Sequence, residues 1–207
     1  MRTWIIGLVV LIIIGIGAYV LVKTDFIKSL FAPKVEVQEP AATEPTVKTF
    51  ASSTMGISFD YAPEFTLNDA YAYTGFSGKP IRGVSVAVPL AMATGTTLSA
   101  GTYVSVEQLP RANLCTGDIF ITANVRPTDV MENGVEYSVA SSSGAAAGNR
   151  YVETVYALKG SKPCTAVRYY IHSTDVGNYP VGTVREFDQA ALISAFDTVR
   201  RTLLIAQ

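Results

Sequence analysis

His172 is the only histidine in the chain, so any chemistry that needs an imidazole passes through it. Asp175 stands three residues on, and Ser141, Ser142 and Ser143 lie upstream. These are the residue types of a serine hydrolase, in which a nucleophile needs a base and the base an orienting carboxylate. The spacing does not support that chemistry. No G-x-S-x-G elbow occurs, and a histidine that closes a β-rich run more often bonds a neighbouring loop. A metal ion would need convergent ligands, and His172, Asp175, Glu186 and Asp188 share one region. Their intervals match no known ligand pattern, and Glu186 and Asp188 are better explained as carboxylates favoured at a helix N-terminus.

Residues 141–148 are serine, glycine and alanine only, and read as a flexible surface loop. Such a loop can bring backbone N–H groups to a ligand, but the Lys and Ser or Thr that complete a phosphate loop do not follow. Tyrosine is abundant, eleven in all, and exposed tyrosines offer contact area at low entropy cost. The residues therefore predict no catalytic, cofactor or metal site. They do mark a surface for a ligand or partner, made of His172, Asp175, Tyr179, Gly144, Gly148 and Asn149.

What positions this surface starts at the other end of the chain. Residues 4–22 hold no charge and no proline. As a helix they would reach roughly 29 Å, close to the ~30 Å of a bilayer's hydrocarbon. That run is longer than a signal-peptide core of about 7–15 residues, and no small-x-small cleavage pair ends it. A type IV pilin would need a processing site and an early acidic residue, and neither occurs before Val22. The expectation is a short tail at 1–3, a single transmembrane anchor at 4–22, a juxtamembrane segment and Pro/Glu-rich linker at 23–47, and one globular domain at 48–207.

Orientation has two opposed signals. Lys23, Lys28 and Lys34 follow the span and only Arg2 precedes it, which by charge alone favours the reverse of export. The minimal N-terminal tail and the cysteine pair favour a cytoplasmic N-terminus and an extracytoplasmic domain. Cys115 and Cys164 are the only cysteines, and a bridge between them suits an exported domain; two buried free thiols are the alternative. From Lys48 onward 12 Lys and Arg meet 13 Asp and Glu, interspersed, so the basic stripe that nucleic acid requires is missing.

Within the domain, period-two alternation predicts strands at 57–61, 84–88, 103–109 and 135–139, with a shorter one at 70–73. Asn133-Gly134 predicts a tight turn, because both residues tolerate positive φ. Residues 150–158 and 164–172 predict a long hairpin at the sheet centre, with Val167, Tyr169 and Ile171 facing the core. Residues 90–101 read as a loop, and 117–130 as a short helix or irregular structure. Thr183 and Glu186 have capping-box spacing ahead of a helix whose apolar stripe is Leu192, Phe196, Val199 and Leu203. Asp197 is placed to pair with Arg200 or Arg201 on the wet side of that helix. The fold class is α+β: an antiparallel sheet of about six or seven strands packed by a C-terminal amphipathic helix.

The opening Gly56-Ile57-Ser58-Phe59-Asp60-Tyr61-Ala62-Pro63 and the closing helix around Phe196 resemble the bookends of the PsbP-like superfamily. The run from Gly144 to Asn149, the strand from Tyr151 to Tyr156, Cys164, Ile171-His172-Ser173-Thr174, Asn178-Tyr179-Pro180 and Phe187-Asp188 resemble a group of uncharacterised bacterial membrane- or lipid-anchored proteins. The first resemblance implies a sheet sandwiched by helices and an accessory, complex-binding role; neither transfers a functional residue. The expected function is a membrane-anchored extracytoplasmic module that binds an envelope protein without catalysis. An envelope hydrolase using His172 and a small-ligand sensor or carrier are the alternatives, the last requiring an apolar pocket between sheet and helix.

Overall fold

Period-two runs of β-branched and aromatic residues produce two antiparallel sheets. The computed structural model describes residues 47–206. In chain order the strands are β1 (Lys48–Ser52), β2 (Ile57–Tyr61), β3 (Thr66–Asn68), β4 (Ala72–Tyr73), β5 (Ile81–Ala87), β6 (Tyr103–Leu109), β7 (Thr128–Glu132), β8 (Val135–Ala146), β9 (Asn149–Leu158), β10 (Cys164–Thr174) and β11 (Leu204–Ile205). The larger sheet runs β3-β5-β6-β10-β9-β8-β7, with β4 also pairing β5, and the smaller is β1-β2-β11. The expected six or seven strands undercount this. β1, β3, β7 and β11 are short or edge strands whose pattern is too brief to stand out from flanking loop, and β7 takes up residues expected to be a short helix or irregular.

β10 lies at the centre, and Cys164 through Tyr169 are buried without a break. A strand buried on both faces needs cover on both. On the first face Val167, Tyr169 and Ile171 pack as expected with Val84, Val86, Val104 and Val106. The terminal helix Gln189–Arg201 lays Leu192, Phe196 and Val199 against them and against Ile57 and Phe59 of β2. Each of these large side chains contributes about 1.5–3 kcal/mol by leaving water. On the second face Val155, Ala157, Ala166 and Ile81 are covered by Phe120 and Ile121, from the 3₁₀ turn Gly117–Phe120 and the residue after it. A Cys115–Cys164 disulfide fastens this covering segment to the start of β10.

Four sequence expectations are corrected. Residues 141–148 are not a loop: β8 continues to Ala146 in register with β9, Ser141 opposite Thr154 and Gly144 opposite Tyr151. Pairing along a β-rich partner overrides the weak strand propensity of serine, glycine and alanine. Only Ala147 and Gly148 turn, at φ of 49° and 78°. The terminal helix is capped by Asp188, whose Oδ1 accepts from the Ala191 N–H at 2.9 Å, and not by the Thr183–Glu186 box. Residues 185–187 are held extended by Thr97 and Gly95: Thr97 N–H donates to Arg185 O at 2.9 Å and Arg185 N–H to Gly95 O at 3.1 Å. Residues 90–101 include the short helix Leu90–Ala93 as well as this clamp. Finally, Arg200 is buried rather than on a wet face, although it does pair with Asp197 as its spacing suggests, at 2.9 Å. The Asn133-Gly134 turn is as expected, at φ of 50° and 80°.

Residues 4–22 lie outside the described residues, so the anchor does too. Among the described residues no helix is long and apolar enough to cross a membrane.

Candidate functional site

At the free end of the long β8–β9–β10 ribbon the structure gathers five of the six surface residues that the sequence marks. His172 sits opposite Tyr151, and Thr174 opposite Asn149, at the close of β10. Its main chain is clamped: Thr102 Oγ1 donates to His172 O at 3.0 Å, and Ser99 N–H donates to the same oxygen at 2.9 Å. The imidazole stacks on Tyr151 with centroids 4.6 Å apart and planes inclined by 20°. Its Nε2 lies 2.8 Å from Asn149 Oδ1. The Asn149 amide nitrogen donates to Ala147 O at 3.2 Å, which turns its oxygen toward the ring. Nε2 is therefore the protonated nitrogen, a donor in a structural bond.

Asp175 faces away from this bond. Its Oδ2 accepts from Arg150 Nη2 at 2.8 Å, and its Oδ1 accepts from Gly177 N–H at 2.9 Å. Asn178 Nδ2 donates to Gly148 O at 2.9 Å, and Tyr179 OH lies 3.0 Å from Thr174 Oγ1. The 175–179 turn and the β8–β9 turn are thus laced together beside His172. Gly144 stands apart, two strands away from His172 and beyond Tyr151.

The hydrolase constellation does not assemble. Ser141 and Ser143 alternate onto the opposite face from His172. Ser142 shares its face but sits two strands away and one row over, on the order of 10 Å. The carboxylate that would orient the base is held by Arg150 instead. Among the described residues no group of His, Cys, Asp and Glu has metal-binding geometry.

Sequence reasoning missed the strongest electrostatic feature, which lies on the same second face. Arg168, fully buried, sends Nε and Nη2 in two parallel 2.8 Å bonds to the buried Glu107 carboxylate. Nη1 donates to Glu153, and Nη2 also donates to Phe120 O at 2.7 Å. The Tyr73 ring lies over the guanidinium, 3.6 Å from carbon to centroid. Burial opposes the Arg168 charge, but the Glu107 hydrogen bonds and both carboxylates outweigh it and hold its pKa above the ordinary value. Burial likewise pushes the Tyr73 phenol up to about 12, against the pull of Arg168. The available signal was opposite charge on adjacent central strands, Glu107 on β6 and Arg168 on β10.

From this network an aromatic row leads outward. Tyr71 and Tyr103 are 5.4 Å apart, Tyr103 and Tyr170 stack at 5.0 Å, and Tyr151 follows Tyr170 at 6.4 Å before His172. The row carries the sheet's second face from its covered middle to its open end. The space between the terminal helix and the sheet, where a carrier would hold its ligand, is filled by Leu192, Phe196 and Val199. An open cleft of about 920 Å³ lies elsewhere, between the β1–β2 turn and the Arg82 and Leu109 ends of β5 and β6.

Several solved structures resemble this one. A protein from Bacteroides thetaiotaomicron VPI-5482 is 12% identical over 77% of this chain and 48% of its own, with a TM-score of 0.43. Cyanobacterial PsbP (CyanoP) from Synechocystis sp. PCC 6803 is 11% identical over 80% of this chain and 95% of its own, with a TM-score of 0.43. This chain thus spans about half the length of the first. No protein family and no curated protein matches the chain.

Proposed function

We propose that the chain is a non-catalytic binding module of the cell envelope, tethered by residues 4–22 and presenting the end of the β8–β9–β10 ribbon to its partner. The N-terminus lies in the cytoplasm and the domain outside. The Pro/Glu-rich residues 33–47 serve as the linker between the anchor and the domain. The Cys115–Cys164 disulfide supports exposure to an oxidising compartment.

The observation that carries the reading is the state of the sole imidazole. His172 is stacked on Tyr151 and bonded through Nε2 to Asn149, while Asp175 belongs to Arg150. These groups build a partly exposed polar and aromatic surface.

A photo-reactive amino acid placed in the full chain in native membranes tests this. Substitution at Val176, beside the ribbon end, should give discrete adducts, whereas Leu204 on the opposite sheet should give none. Equal labelling from both positions, or none from Val176, overturns the reading.

A further inference from the structure

The cleft of about 920 Å³ is bordered by an open strand edge. Phe50, Ala51 and Ser52 all line it, and successive residues of a strand point to opposite faces. A hollow that touches three in a row therefore lies along the strand's edge and not over one face. The edge is that of β1, which pairs with β2 alone and ends the smaller sheet. The facing wall has no such edge, because β5 is paired there with β3 and β4, and Gly83 N–H donates to Tyr71 O at 3.0 Å. Gln108 Nε2 donates to Met55 O at 3.0 Å and so ties the β1–β2 turn to β6 at the cleft. Leu109, also in the lining, lies opposite Cys164 at the start of β10, whereas His172 stands near that strand's other end.

The charge in the cleft is unbalanced. Arg82 and Arg111 line it, and among the described residues neither pairs with a carboxylate, whereas Arg150, Lys159, Arg168, Arg200 and Arg201 all do. Asp69 is the one acid among the described lining residues. The open edge of β7 is different: its Asp129 is held by Lys159 and its Glu132 by Arg200 and Arg201, so both of its charges are already paired. Phe50 and Met55 add partly buried apolar surface beside the β1 edge.

These features narrow the occupant. An open strand edge presents N–H and C=O groups that an extended backbone satisfies. A guanidinium fork takes a carboxylate in two parallel bonds. A second copy of this chain offers a strand edge but brings a second basic cleft against the first. A lipid headgroup or a small anion offers charge without a strand.

We infer that β1 accepts an extended acidic segment of a partner protein as an added strand, its backbone bonded to the free edge and its carboxylates paired with Arg82 and Arg111. This surface lies apart from the ribbon end and does not rest on that assignment.

The test selects heptapeptides from a random displayed library against the full chain in micelles of an uncharged detergent, then titrates labelled synthetic copies by fluorescence anisotropy. The selected sequences should be enriched in aspartate and glutamate and should bind saturably. Replacing Arg82 and Arg111 together by alanine should weaken binding at least about tenfold, while Arg201→Ala stays within about twofold. Methylating one alternating set of peptide amides should abolish binding, and methylating the other set should leave it within about threefold, because only one edge of an added strand meets β1. Arg82 and Arg111 are exposed, and thermal melting checks that the double variant folds. The inference is overturned if no peptide binds, if the selected sequences carry no excess of acid, if the double variant binds as the parent does, or if both methylated sets bind alike. A dimer of the parent that the peptide dissociates would assign the edge to a second copy and overturn it as well. Adducts from Val176 report on the ribbon end alone, so either surface can fail without the other.

Discussion

Arg168 and Glu107 meet across β10 and β6 in a two-pronged pair, each bond 2.8 Å, with side-chain exposures of 0% and 1%. An ion pair so dry contributes little net stability against an apolar replacement of the whole set, but removing one partner strands the other. Arg168→Met leaves Glu107 and Glu153 buried without their cation, and should cost about 3–5 kcal/mol, read as a lower urea midpoint. Arg168→Lys should recover only part of this, since an ammonium cannot form the parallel pair and also reach Phe120 O. Arg201→Ala, an exposed cation, should cost less than about 1 kcal/mol.

The disulfide closes a loop with a sequence separation of 49 and pins the segment that covers the second face. Replacing both Cys115 and Cys164 by alanine should cost on the order of 4 kcal/mol. The same shift should appear in the parent on reduction, measured as a fall in the thermal midpoint. A midpoint indifferent to reductant would contradict the role given to the bridge.

Acid should weaken the junction between β7 and the terminal helix. The hydrogen bond from Arg200, aided by the Arg201 bond, holds the Glu132 carboxyl below its ordinary value of 4.5. A carboxyl lowered on folding contributes stability that is full above its unfolded value and lost as pH falls through the folded one. Urea midpoints measured between about pH 6 and pH 2 should decline on the acid side, and Glu132→Gln should flatten part of that decline. An unchanged slope in Glu132→Gln would remove this attribution.

The three strand-facing glycines should respond differently to alanine. Gly83→Ala and Gly117→Ala press a methyl onto backbone atoms that cannot yield, and each should destabilise by about 1–3 kcal/mol. Gly144→Ala meets open space and should be neutral or stabilising by up to about 1 kcal/mol. Equal losses at all three positions would mean that the open space at Gly144 is not real.

The middle of the sheet was legible because its strands alternate strongly. Residues 103–109 coincide with β6, and the 150–158 and 164–172 runs became β9 and β10 with Val167, Tyr169 and Ile171 in the core. What escaped reading depended on partners far along the chain. Ser141 to Ala146 form strand only because β9 lies beside them, and the helix start moved to Asp188 because Gly95 and Thr97 hold residues 185–187 extended. Arg168 and Glu107 alternate with apolar residues and so read as outward-facing. The segment that buries them, around Phe120, has no periodicity to announce a cover. His172, Asn149, Gly148, Asp175 and Tyr179 were recognisable as a group by composition, but their mutual bonds depend on two turns that only the paired ribbon brings together.

Radical footprinting of the full chain in native membranes, compared with the detergent-purified chain, tests the binding surface most directly. Oxidation of the Tyr151, His172 and Tyr179 side chains should fall in the membrane sample, while Leu114, which lines a different surface, and Leu204 of the smaller sheet should react equally in both. Protection confined to Leu114 and its neighbours, or no protection at Tyr151 and His172, would contradict the placement of the partner at the ribbon end.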